Sequence, residues 1–419
     1  MFQSIDEANR AVVSKILEAQ PFLVDVVPAK LVIPELNGKV LLHAGPPIVW
    51  EDMTGPMQGA CIGAALFEGW AKDETEAKDL LDNGGVKFIP CHQMNAVGPM
   101  GGITSGNMPV MVVVNKTEDN KAYCTMNEGI GKVLRFGAYN SEVIERLTWM
   151  RDVLGPSISK ALKFTQEGIN LNVIIAKAIT MGDEFHQRNI AGSMLLMKEL
   201  TPYLLRAAIP ADDLEKVIKF LADTDQFFLN VMMAACKASM DAARTIQEGS
   251  VVTAMSRNGK EFGIRVSGLG DQWFTAPVNT PQGLFFTGYA QEDANPDIGD
   301  SAITEAYGVG GMAMVAAPGV TRFLGAGGFD NALSISEEMK EICVGSNPNL
   351  PIPTWNFQGA CVGIDIRKVL ETGITPIINT GIAHKQAGIG QIGAGTVRAP
   401  LECFEKALIA LAEKMGVEA

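Results

Sequence analysis

The chain has 419 residues, 47% of them hydrophobic and 19% charged, with a formal net charge of −13 and a pI near 4.9. That length allows two or three domains with ample core, and the composition excludes a disordered chain. The acidic balance argues against nucleic acid or an anionic membrane as partner, while a local cluster of Arg and backbone amides still permits a small anionic ligand.

In chain order, Met1 to Gln20 reads as a charged amphipathic helix rather than a signal peptide, and no stretch approaches the ~18 apolar residues of a spanning helix. The seven cysteines form no C-x-x-C pair and no zinc spacing, which points to reduced thiols in a cytoplasmic protein. Short apolar runs at Val40–Leu42, Val86–Ile89 and Val110–Val114 predict buried strands, with helices at Cys61–Trp70 and Asp73–Leu81 between them. From Ser141 to Glu248 strand signals vanish and long apolar-periodic stretches predict five or six helices. One of them opens after Pro210 with Asp212 and Asp213 in its first turn. Past Gly249 the α/β texture returns, with strands expected at Val251–Met255, Phe262–Val266, Met312–Ala316 and Thr375–Asn379. Ser334-Ile335-Ser336-Glu337 reads as a capping-box helix start. A last helix from Pro400 carries the apolar stripe Leu401, Phe404, Leu408, Leu411 and Met415, with Gly416 as its cap.

One hexapeptide occurs twice, as Gln58-Gly59-Ala60-Cys61-Ile62-Gly63 and Gln358-Gly359-Ala360-Cys361-Val362-Gly363. Each copy follows a tryptophan (Trp50, Trp355) and precedes a histidine (His92, His384), a glycine-rich run and a proline. The histidine-to-proline spacing is 17 residues in the first copy and 16 in the second. The expected fold class is therefore α/β, built as two related half-modules at 1–140 and 251–419. An all-helical domain is inserted at 141–250. A cleft between duplicated halves is a natural ligand site. Reuse of a tight packing turn is the plainer alternative.

Gly388-Ile389-Gly390-Gln391-Ile392-Gly393 matches G-x-G-x-x-G, but no second strand with an acidic residue follows, so a dinucleotide site is excluded. The glycines instead offer backbone N–H groups to an anion: Gly388, Gly390, Gly393 and Gly395 in the second run, Gly101 and Gly102 in the first. Among four histidines, His384 and His92 stand at matching positions ahead of these runs and are the acid/base candidates. His43 sits at a strand end. Asp183-Glu184-Phe185-His186-Gln187-Arg188-Asn189 is the densest polar cluster. It reads as a helix start rather than a metal site, with His186 and Arg188 available to a site between domains. Arg398 and Arg322 (ahead of Phe323-Leu324-Gly325), with Arg257, are candidates for a carboxylate or phosphate. Asp300 and Glu305 either orient a base or cap a helix. Cys61 and Cys361 read as packing residues.

Several long strings resemble the YlbE-like (AllG-type) bacterial family: Met53-Thr54-Gly55-Pro56-Met57-Gln58-Gly59-Ala60-Cys61, Gly98-Pro99-Met100-Gly101-Gly102-Ile103-Thr104, Met181 through Asn189, Thr275 through Gly283, and Asn379 through Pro400. The resemblance runs nearly end to end. It implies one of three subunits of an oxamate carbamoyltransferase, beside an FdrA-like subunit and one further subunit, with a homodimer also allowed. The implied reaction converts oxalurate and phosphate to oxamate and carbamoyl phosphate in anaerobic allantoin (purine) breakdown, without metal or organic cofactor. A scaffold subunit without catalytic groups is the alternative.

Overall fold

The computed structural model describes residues 2–323 and 327–416. Its N-terminal helix, Ile5–Glu18, is capped by Ser4, whose hydroxyl accepts the Glu7 N–H at 3.2 Å, and it buries Ala8, Val12 and Ile16 on one face. The chain then enters a five-stranded sheet. Its order is Ala96–Val97, Asn120–Thr125, Pro109–Asn115, Pro21–Pro28 and Ile169–Asn170. All neighbours run antiparallel except the first pair, which is parallel. A parallel pair, Val40–His43 with Lys87–Pro90, lies outside this sheet.

Helix Phe227–Ala243 is the centre of the molecule. Every residue except Asp241 is buried, because the helix is covered by the strands Asn120–Thr125 and Pro109–Asn115 on one side and by helices Ile5–Glu18 and Ile303–Tyr307 on others. A helix that is apolar all round has to be buried. Each enclosed Phe or Met there contributes about 1.5–3 kcal/mol. The largest core cluster joins Val12, Met232, Ile264 and Leu411, so it draws on all three stretches of the chain. The stretch 141–250 is mainly helical, but Ile169–Asn170 adds a strand to the N-terminal sheet.

The C-terminal part holds three smaller sheets. One has the order Phe274–Pro277, Glu261–Val266, Val252–Asn258, Ile298–Gly299; another is Gln282–Phe285, Gln391–Arg398, Ile377–Ala383; the third pairs Cys343–Ile352 with Gln358–Ile364. The two hexapeptides differ in structure. Gln58–Gly63 lies inside helix Gly55–Phe67, whereas Gln358–Gly363 is strand. Equivalent half-modules are therefore not found at these residues. What the copies share is close approach: a Cβ on Gly59 would lie 2.3 Å from the Gly137 carbonyl oxygen, and one on Gly359 2.3 Å from that of Asn347.

Three local expectations are corrected. Met312–Ala316 is not a strand but part of the 3-10 segment Gly310–Ala316, fully buried among apolar neighbours, where a short apolar run carries no periodicity. The helix expected at Ser334 starts at Phe329, and Ser336 Oγ accepts the Val315 N–H at 3.0 Å from within it. The helix expected at Asp183 begins only at Ile190.

Candidate functional site

Residues 182–189 form a loop because one buried carboxylate gathers its backbone. Glu184 Oε1 accepts the N–H groups of His186 at 3.1 Å, Gln187 at 2.5 Å and Arg188 at 2.6 Å, and Oε2 accepts Asn379 Nδ2–H at 2.8 Å. Phe185 completes the turn with a φ of 71°, its ring buried against Phe228. Burial pushes the Glu184 carboxyl above its ordinary range, and the charge of His186 and these donors work against that rise. Asp183 is likewise pushed up by burial, and it accepts the Gly192 N–H at 2.7 Å in the first turn of helix Ile190–Arg206.

This loop presents His186 to a second carboxylate. Its Nδ1 lies 2.7 Å from Glu305 Oε1, and the Glu305 side chain is fully buried on the short helix Ile303–Tyr307. Glu305 is held in turn by the N–H groups of Gly311 at 2.9 Å and Asn379 at 3.2 Å, and by the Thr304 hydroxyl at 3.0 Å. In the neutral ring a carboxylate facing Nδ1 fixes the tautomer: Nδ1 carries the hydrogen and Nε2 keeps its lone pair. Gly310 makes room for the pair. Its φ is 64°, and a Cβ there would sit 2.2 Å from Glu305 Oε1.

His186 lines a small cleft of about 60 Å³. Pro99 and Met100 of the first glycine run form one wall, Gly381 and Gln391 another, and Arg135, Gln187 and Ser301 supply polar groups. No acidic residue lines this cleft among the described residues; Glu184, Glu305 and Glu128 hold its walls from behind. Arg135 is fastened by Nη2–H to the Gly129 carbonyl at 2.7 Å and by Nη1 to Glu128 Oε2 at 3.5 Å. Its side chain keeps 12% exposure, and burial lowers its pKa from the usual guanidinium value. Gln187 also lines an open basin of about 850 Å³ with Arg188, Thr180 and Pro318 on the opposite side of the loop.

The other residues singled out from sequence fall elsewhere. His92 is fully enclosed, 3.6 Å from Asp300 Oδ1 and edge-on to Trp273, with neither ring nitrogen hydrogen-bonded. Burial first, then the charges of Lys237, Arg265 and Arg244, hold it well below the ordinary histidine pKa. His384 follows strand Ile377–Ala383; its Nδ1 accepts the Gln386 N–H at 2.9 Å, and Nε2 stands 3.9 Å from Asp293. The structure does not join these two histidines. Three glycines of the two runs use their donors within the fold. Gly101 N–H bonds Arg135 O, Gly102 N–H bonds Pro99 O, and Gly388 N–H bonds Gly137 O at 3.0, 3.1 and 2.8 Å. Gly393 and Gly395 lie in the middle strand of the three-stranded sheet, and Gly390 O accepts the His384 N–H.

The arginines are also committed. Arg257 is fully buried and bound to Asp297 Oδ2 at 2.7 Å and to Gly299 O at 2.6 Å. Arg398 bridges Glu338 Oε2 and Thr375 O, each at 2.8 Å. Arg188 Nε is 3.5 Å from Asp183. Arg322 is exposed on helix Pro318–Phe323, and Leu324 and Gly325 beyond it lie outside the described residues. Sequence reasoning passed over Arg135, Gln187 and Gln391. The available signal for Arg135 was its place between Gly129, Gly131 and Gly137, all at positive φ.

Among the described residues no helix is long and apolar enough to cross a membrane, and no group of three or more His, Cys, Asp or Glu is placed to hold a metal ion. Residues 86–301 match the family described as "Oxamate carbamoyltransferase subunit AllG". The chain is 65% identical over 418 residues to the oxamate carbamoyltransferase subunit AllG of Escherichia coli (strain K12), covering 100% of each. It is 48% identical over 413 residues to the uncharacterized protein YahG of the same strain, covering 99% of this chain and 87% of that one. A crystal structure of a conserved protein of unknown function from Enterococcus faecalis V583 superposes with a TM-score of 0.96 at 48% identity, covering 98% of both chains.

Proposed function

The chain belongs to the AllG family of oxamate carbamoyltransferase subunits, and from that premise we propose that it works inside a multi-subunit carbamoyltransferase converting oxalurate and phosphate to oxamate and carbamoyl phosphate. The observation that carries this reading is the 65% identity along the whole length to a subunit of that name. The partners are an FdrA-like subunit and one further subunit, and the setting is anaerobic allantoin breakdown. The cleft supports a catalytic rather than a purely scaffolding part, because it offers an oriented imidazole and a guanidinium and no acidic residue among its described lining.

In the reaction a phosphate oxygen bonds to the ureido carbonyl carbon, and the bond from that carbon to the inner nitrogen breaks. Hydrogen phosphate loses one proton and the departing nitrogen gains one. His186, with no partner on Nε2 among the described residues, is the residue that accepts the first and returns it to the second. Glu305 holds the ring and stabilises its transient positive charge. Such proton transfer accounts for roughly 10² to 10⁴ in rate. His186 takes this role in preference to His92, which is sealed and held neutral, and to His384, whose Nδ1 is occupied by a turn and whose Nε2 lies nearest Asp293.

The test is co-expression of the chain with its neighbours and assay of carbamoyl phosphate from oxalurate and phosphate, omitting each subunit in turn. Activity only when this chain is present supports the reading. A stable complex lacking that activity sinks it. Full activity from a complex carrying His186→Ala makes the chain a scaffold.

A further inference from the structure

Resting on the functional reading above, we infer that the His186 cleft is a one-anion site: it takes the carboxylate and adjacent amide of the oxamate half, anchored by Arg135, and the phosphate is bound outside it. Size is the first ground. At about 60 Å³ the cleft is small. Oxamate, with its two carbons, one nitrogen and three oxygens, is a ligand of small size to match. Oxalurate together with phosphate has more than twice as many non-hydrogen atoms.

Charge is the second ground. Arg135 is the one permanent cation among the described lining residues, and a guanidinium pairs with a planar carboxylate through parallel N–H donors. Two of its nitrogens are tied to Gly129 and Glu128, which fixes the fork without consuming all five of its N–H groups. A phosphate dianion in the same space would meet no second cation. The glycine N–H groups nearest the cleft are already bonded, those of Gly101 and Gly102 to Arg135 O and Pro99 O.

Hydrogen-bonding pattern is the third. Gln391 donates Nε2–H to Gly393 O at 3.0 Å, leaving its Oε1 without a partner among the described residues, and the side-chain amide of Gln187 has none either. Primary amides read another amide well, since each brings a donor and an acceptor. Gly381 keeps the space open: a Cβ there would stand 3.1 Å from Phe136 Cζ and 3.3 Å from Gln391 Nε2. With Arg135 and Gln391 on the carboxylate and amide, His186 is the lining residue left for the nitrogen at which the scissile bond ends. The phosphate then approaches from a partner subunit or from beyond Gln187.

The experiment measures KM for oxalurate and for phosphate separately in the assembled complex, with Arg135→Lys and Gln391→Leu beside the parent. It also measures oxamate binding to each complex by calorimetry, with inorganic phosphate as competitor. The expected result is a KM for oxalurate raised at least tenfold by either variant, KM for phosphate within twofold, oxamate binding weakened in parallel, and no competition by phosphate. A matching rise in KM for phosphate, phosphate displacing oxamate, or oxamate affinity unchanged in both variants overturns the inference. The Gln391→Leu arm stands if Arg135→Lys fails to fold. Oxamate binding lost with Arg135→Lys in a complex that makes no carbamoyl phosphate keeps the one-anion site and removes the reaction assigned above.

Discussion

His186 Nδ1 and Glu305 Oε1 lie 2.7 Å apart although 119 residues separate them in the chain. The pair is enclosed, with the His186 and Glu305 side chains 3% and 0% exposed; the carboxylate collects further donors, and the cleft begins at His186. A carboxylate placed this way selects one imidazole tautomer.

Replacing His186 by Ala is therefore expected to lower kcat of the assembled enzyme by ~10² or more, and Glu305→Gln to lower it by a comparable factor. The double variant should lose little beyond the worse single one, because the two act as a unit. Steady-state rates on purified complexes check this, and two independent, multiplying losses would contradict it.

Gly310→Ala should damage the same pair without touching it chemically. A side chain at φ 64° costs about 1–2 kcal/mol, and its Cβ would fall 2.2 Å from Glu305 Oε1, so the carboxylate has to move. We expect a loss of ~2 kcal/mol or more in denaturant unfolding, together with a fall in kcat. A stable, fully active variant would show that the dyad tolerates displacement.

His43 makes the fold sensitive to acid. It is buried, its Nδ1–H donates to Ala44 O at 2.8 Å, and burial, the larger influence, pulls its pKa down from the ordinary histidine range to about 4. The unfolded chain takes up this proton first, so its contribution to stability is complete above the unfolded pKa and is lost as pH falls toward 4. Between pH 7 and 4.5 that amounts to ~2–3 kcal/mol. Asp300, Glu184 and Asp183, raised by burial, act in the opposite sense over the acidic range. Unfolding curves at both pH values should show a smaller acid loss in His43→Gln than in the parent; an equal loss would place the sensitivity elsewhere.

Two arginines that look alike in the sequence should behave differently. Arg257→Gln leaves Asp297 charged and fully buried, and a loss of ~3–5 kcal/mol is expected. Arg398→Gln breaks a pair with Glu338 in which both side chains are more than one-third exposed, so the expected cost is below ~1 kcal/mol. Chemical denaturation of the two variants side by side checks the contrast, and equal losses would contradict it.

Local pattern carried much of the architecture. The strand expected at Val110–Val114 spans Pro109–Asn115, the one at Phe262–Val266 spans Glu261–Val266, and the helix from Pro400 runs Leu401–Met415. These elements announce themselves because buried β-branched runs, Pro boundaries and one-sided apolar stripes are properties of neighbouring residues. The polar string at 183–189 is legible as unusual, but it is a loop and not the helix start that its residues suggest. The competing partner of its N–H groups, Glu184 Oε1, wins only because Asn379 and Gly310 come in from distant parts of the chain to hold that residue.

By itself the sequence determined the family, through long shared strings, and the types of most elements, through short-range periodicity and capping. The tertiary structure alone decided where chemistry can occur. It made one copy of the repeated hexapeptide helix and the other strand, since runs of Gly, Ala and Cys have weak preferences that packing overrides. It also brought Met100, Arg135, His186, Ser301, Gly381 and Gln391 around one cleft with Glu305 behind His186, while enclosing His92. Contacts between residues a hundred or more positions apart are set by how whole elements pack, and no local pattern in the chain encodes them.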